Sequence, residues 1–147
     1  MKKSIYLTMT FGIILLASLI GCKKSSAQAP KSKNALYSVQ ANNTTLTKGK
    51  TGQASFDINL YKGAEIHAKA PFKCQLQASD GLDLAKKTLG HADVTVAKNH
   101  KKALVSVKIT AKKTGKQFVN FDCSFFVCTK DICARHHEKL HSTITVK

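Results

Sequence analysis

From residue 53 onward the chain carries a two-residue rhythm. In residues 53–60 (QASFDINL) apolar and polar side chains alternate without a slip, the period of a half-buried strand. Lys62-Gly63 follow as a turn. Phe72, Cys74 and Leu76 then fall on one face, with Lys73, Gln75 and Gln77 on the other. Residues 94–96 form a short strand candidate, and Ala103, Val105, Val107 and Ile109 alternate with Ser106, Lys108 and Thr110. After a turn at Lys113-Thr114-Gly115-Lys116, the residues Val119, Phe121, Cys123, Phe125 and Val127 share one face, and residues 143–147 close the chain as a last strand. There is no segment of helical period and no internal repeat. About seven short strands with turns between them predict an all-β domain over residues 35–147, an antiparallel β-sandwich of immunoglobulin-like type.

The first residues do not belong to that rhythm. Met1-Lys2-Lys3 precede a run to Ile20 that is apolar apart from a few hydroxyl residues and one glycine, the layout of a secretory signal. The stretch Leu19-Ile20-Gly21-Cys22 resembles the bacterial lipobox, in which a cysteine after a small residue is acylated and becomes the new N-terminus. The resemblance implies a signal peptide over residues 1–21 and a lipid anchor on Cys22. The alternative is an uncleaved transmembrane anchor, but the apolar run of about 17 residues is at the lower limit for a span. That role has no need of a cysteine at the cleavage point. Residues 22–34 are rich in Lys, Ser, Ala, Gln and Pro and read as a flexible tether with a reach of about 20 Å.

Charge sharpens the picture. The chain carries +16 at pH 7, and removing residues 1–21 takes away Lys2 and Lys3 and no acid. An exported protein has no nucleic acid to meet, and the lysines lack interleaved aromatic residues. The expected counter-charge is therefore an anionic lipid surface or acidic wall polymer, or solvent alone. Lys23, directly after the lipidated cysteine, stands where an aspartate commonly retains such proteins at the inner membrane. Its presence points to the periplasmic face of the outer membrane.

Five cysteines occur, and lipidation of Cys22 leaves four, an even number that in an exported domain implies two disulfides of undetermined connectivity. Cys74 and Cys123 both fall on the apolar face of a strand and could meet across the sandwich as a structural bridge, or remain as two core thiols. Cys128 and Cys133 enclose a loop too short to restrain the unfolded chain by more than about 2 kcal/mol. Lys130, Arg135, His136 and His137 surround them with positive charge, which favours thiolate, against Asp131. A short, cationic, surface loop suits an exchangeable disulfide; an inert surface clip is the alternative.

Phe126-Val127-Cys128 through Cys133, ahead of a final strand, resembles the redox motif of the N-terminal domain of the thiol:disulfide interchange protein DsbD. Residues 63–73 (GAEIHAKAPFK) are similar to a stretch in stand-alone lipoprotein relatives of that domain. The resemblance spans about residues 36–147. It implies an immunoglobulin-like domain whose cysteine pair shuttles electrons without a cofactor. The donor would be a membrane thiol reductase or a thioredoxin-like protein, and the acceptor an exported disulfide-containing protein. It further implies that Cys133 forms the mixed disulfide and that Cys128 resolves it. The membrane and thioredoxin-like parts of DsbD are absent, and Ala134-Arg135-His136-His137 replaces the Pro-rich stretch that often follows the second cysteine.

Two other readings compete. Both disulfides could be structural in a non-catalytic envelope-binding or adhesion module. Alternatively, Cys133, His137 and His141 step by four residues, so a helix would stack them, with Cys128 completing a zinc or copper set. His67, His91 and His100 have no partner visible in the sequence and are expected at the surface. A phosphate-cradling glycine loop and a serine nucleophile motif are missing, so a conventional hydrolase is not expected.

Overall fold

The computed structural model describes residues 36–147 apart from Lys62 and Ala68; the signal segment, Cys22 and the tether lie outside the described residues. Eleven strands run in chain order: β1 (Tyr37–Asn42), β2 (Thr44–Leu46), β3 (Thr51–Leu60), β4 (Glu65–Ile66), β5 (Lys73–Ala78), β6 (Leu82–Leu84), β7 (Thr88–Leu89), β8 (Val94–Val96), β9 (Lys102–Ala111), β10 (Gly115–Cys128) and β11 (Cys133–Val146). A single 3-10 turn, His91–Asp93, is the only helical element among the described residues.

Two sheets form. One has the order β1-β3-β9-β6, with β8 sharing the edge of β9; the other has the order β2-β11-β10-β5-β7, with β4 on β10 beyond the end of β5. The opening segment is divided between them: β1 runs antiparallel to β3, and β2 runs parallel to β11. This is the immunoglobulin-like arrangement, a five-stranded sheet facing a six-stranded one whose centre is β11, β10 and β5. Alternation decides which face is inside. Ala54, Phe56, Ile58 and Leu60 of β3, the odd-numbered positions of β9 and Val119 to Val127 of β10 all point into the core. Phe56 and Phe121 meet edge-to-face at 5.2 Å and join the two layers.

Three sequence expectations are corrected. There are eleven strands rather than about seven, because β2, β4, β6 and β7 have only two or three residues, too few to show a period. The last strand begins at Cys133 rather than Thr143. Its inward positions His136 and Glu138 are polar, so the apolar rhythm is lost over half its length while the backbone pairing to β10 continues from Gly115↔Val146 to Cys128↔Cys133. Finally, the Cys74–Cys123 bridge does not cross the sandwich. It links directly opposed residues of β5 and β10 within one sheet, on the buried face.

Candidate functional site

The candidate site is the tip of the β10–β11 hairpin. Thr129-Lys130-Asp131-Ile132 make the turn, and Thr129 fastens it: its N–H donates to the Ile132 carbonyl at 2.7 Å, and its hydroxyl accepts from the N–H groups of Asp131 and Ile132 at 3.3 and 3.2 Å. Cys128 and Cys133 close this turn as an opposed, disulfide-bonded pair with Cα atoms 4.0 Å apart. The turn and a fourteen-residue ladder hold the hairpin in shape, so the bridge is not needed to bring its own strands together.

The two sulfurs sit in unequal surroundings. Cys128 is 2 % exposed, flanked by β11 on one side and by Glu65 of β4 on the other, whereas Cys133 is exposed. Ile132 beside it is 62 % exposed, and Tyr61, at the end of β3, is another large exposed apolar residue. Of the two, Cys133 is the cysteine that a molecule approaching from solvent would reach.

The local charge differs from the sequence expectation, in which four cations surround the pair. Lys130 and Arg135 are exposed, and Arg135 reaches Ser124 Oγ at 3.4 Å. His137 instead bonds Asp122 at 2.5 Å, and the hydrogen bond from His137, together with Lys139 at 3.6 Å, holds the Asp122 carboxyl below its usual range. His136 turns inward on the opposite face of β11. Strand alternation thus turns His136 away from the pair, and the bond to Asp122 engages His137.

Beneath the tip, inward-facing His136 packs edge-to-face on Tyr37 at 4.7 Å and near Phe125 at 6.3 Å. The Tyr37 hydroxyl donates to Glu138 Oε1 at 2.6 Å; burial and then this carboxylate push the phenol well above its ordinary value. No sequence signal marks this Tyr37–His136–Glu138 cluster, because Tyr37 is about a hundred residues from the other two. The His136 Nε2 is buried without a hydrogen bond among the described residues, and burial pushes its pKa down, against the opposing pull of Glu138. The sign follows directly: the unfolded chain takes up the proton at a higher pH than the folded one. Stability from this site is full above about pH 6.5 and is lost as the pH falls. Denaturation of His136→Phe across pH 5 to 8 is expected to show a flatter acid limb than the unaltered protein. An identical slope in both would assign the loss to other groups.

The metal reading fails on geometry. Residues 133, 137 and 141 lie on a strand, not a helix, and share its outer face. Steps of four residues along a strand separate them by about 13 Å each, too far for Cys133, His137 and His141 to converge with Cys128 on one ion. His141 instead contacts Asn120 Oδ1 at 2.9 Å. Among the described residues no group of three or more His, Cys, Asp or Glu is placed to hold a metal. Of the other histidines, His67 and His100 are exposed as expected, whereas His91 is partly covered and has a partner, the His67 carbonyl at 3.2 Å.

The fold and the two bridges define the class: a disulfide-bonded, immunoglobulin-like β-sandwich. No family model and no curated protein sequence matches the chain. Among solved structures it is similar to AggA, the major subunit of aggregative adherence fimbriae type I from Escherichia coli, at 10 % identity and TM-score 0.40, over 81 % of this chain and 95 % of that one. It is also similar to a PapD-like domain of human CEP192, at 9 % identity and TM-score 0.37, over 97 % and 98 % of the two chains. Murine CRIg matches at 8 % identity and TM-score 0.37, over 76 % and 98 %. Likeness at this level describes shape and carries nothing about activity.

Proposed function

We propose that this protein is a bacterial envelope lipoprotein that takes part in thiol–disulfide exchange through Cys128 and Cys133. The observation that carries the reading is the contrast between the two bridges: Cys74–Cys123 is wholly buried, whereas Cys128–Cys133 includes one exposed cysteine at a hairpin tip. In the step proposed, a partner thiolate attacks Cys133 Sγ, the Cys128–Cys133 bond breaks, and Cys128 leaves as thiolate. A second partner thiol, or Cys128 itself in reverse, resolves the mixed disulfide. Electrons enter as the thiols of a membrane reductase or thioredoxin-like protein and leave to an exported disulfide-containing protein. Anchoring through Cys22 at the periplasmic face of the outer membrane keeps the domain in an oxidising compartment where such partners meet it.

The test is a redox titration against glutathione and against a thioredoxin, read by peptide mapping. The Cys128–Cys133 pair is expected to open at a potential above about −300 mV while Cys74–Cys123 stays closed. In cells, Cys128→Ala is expected to leave Cys133 holding a partner as a mixed disulfide. Equal resistance of both bridges, with no mixed disulfide trapped, would hand the protein to the envelope-binding reading, in which both bridges are structural.

A further inference from the structure

The register of the hairpin decides which backbone groups face outward. Thr129 and Ile132 are a hydrogen-bonded pair, so the adjacent Cys128 and Cys133 are the non-hydrogen-bonded kind. Alternation from there turns the N–H and C=O groups of Cys133, Arg135, His137 and Lys139 away from β10, to the free side of β11. The far end of β11 obeys the same parity. Thr143 N–H reaches Asn43 Oδ1 at 3.0 Å and Lys147 N–H reaches the Leu46 carbonyl at 2.9 Å, both on that side.

Only the far end is covered, however. β2 pairs with β11 from Ile144 to Val146, and β1, which passes nearby, spends its ladder on β3. Between Cys133 and Lys139 no strand among the described residues lies along the outer edge. Among the described residues the sheet therefore has an open edge whose first residue is the exposed cysteine. Arg135, His137 and Lys139 are all exposed along it, with Lys130 at the turn. Lys130, Arg135 and Lys139 outnumber Asp122 and Asp131 here, and this net positive charge discourages pairing with a second copy and favours an acidic segment.

We propose, building on the exchange reading, that this edge is the docking site for the exchange partner. An extended, acidic, cysteine-bearing segment of an exported protein adds as a strand beside residues 133–139, which sets its thiol next to Cys133. The edge would thereby select unfolded or extended segments over folded ones, because only an extended backbone can supply the matching donors and acceptors.

The test uses the full-length protein, with both bridges formed, and three thiols: glutathione, a ten-residue peptide with one cysteine among alternating Glu and Val, and the same peptide N-methylated at alternate amides. The readout is the initial rate of mixed disulfide formation at Cys133. The unmethylated peptide is expected to react faster than its methylated twin by about five- to tenfold, the worth of one or two backbone hydrogen bonds. Arg135→Pro removes an outward N–H without touching the β10 ladder, and it should lower the peptide-to-glutathione rate ratio by a similar factor, whereas Arg135→Ala lowers it less. Equal rates for the two peptides, or equal ratios for Arg135→Pro and Arg135→Ala, would overturn edge docking while leaving exchange intact. Failure of every thiol to open the bridge would instead remove the exchange reading. If peptide discrimination emerges only after deletion of residues 23–34, the chain's own tether fills the edge and the proposal fails.

Discussion

Replacing Cys74 and Cys123 together by alanine is expected to lower the unfolding free energy by about 4 kcal/mol, on the chain-entropy account of a loop of some fifty residues. The bridge ties positions 49 residues apart, and the loop it closes contains β6, β7, β8 and β9, two of which form the edge of the opposite sheet and one its interior. Without it the unfolded chain regains that freedom, and β5 keeps its place on β10 only by backbone ladder and packing. The same double change at Cys128 and Cys133 should lower stability by only about 2 kcal/mol, because its loop is five residues in sequence. Paired urea denaturation curves decide this. Equal losses from the two variants would mean that residual structure in the unfolded hairpin, not loop length, governs both bridges.

Cys22→Ser is expected to move the protein from the membrane fraction to the soluble fraction and to abolish acyl labelling. Each buried methylene of an acyl chain stabilises membrane binding by about 0.8 kcal/mol, so losing the anchor changes partition by many orders of magnitude. The basic surface of the domain could not replace it, since each lysine near an anionic surface contributes only about 1 kcal/mol and salt screens it. Membrane retention of an unprocessed Cys22→Ser chain would mean that the first segment spans the bilayer. In that case the proposed exchange chemistry is unchanged, and only the cleavage is absent.

Strands with one wet face were legible in the chain because their apolar residues recur at every second position. The register of β3, β9 and β10 against the core follows the expected faces residue by residue. So does the placing of Cys74 and Cys123 on the buried side, since parity is a local property. What parity cannot state is which strand lies next to which. Two inward cysteines satisfy the pattern equally well across the sandwich or side by side on β5 and β10, and only the order of the sheet settles the second. The same holds for β11. His136 and Glu138 look like loop residues until Tyr37 arrives from the other sheet to cover one and bond the other. The Cys128–Cys133 pair was visible as a short loop, because closure of a turn depends on neighbours in sequence. Its unequal exposure, the diversion of His137 to Asp122 and the open edge running on from Cys133 were not. These depend on what packs beside the hairpin, and that is decided by residues distant in the chain.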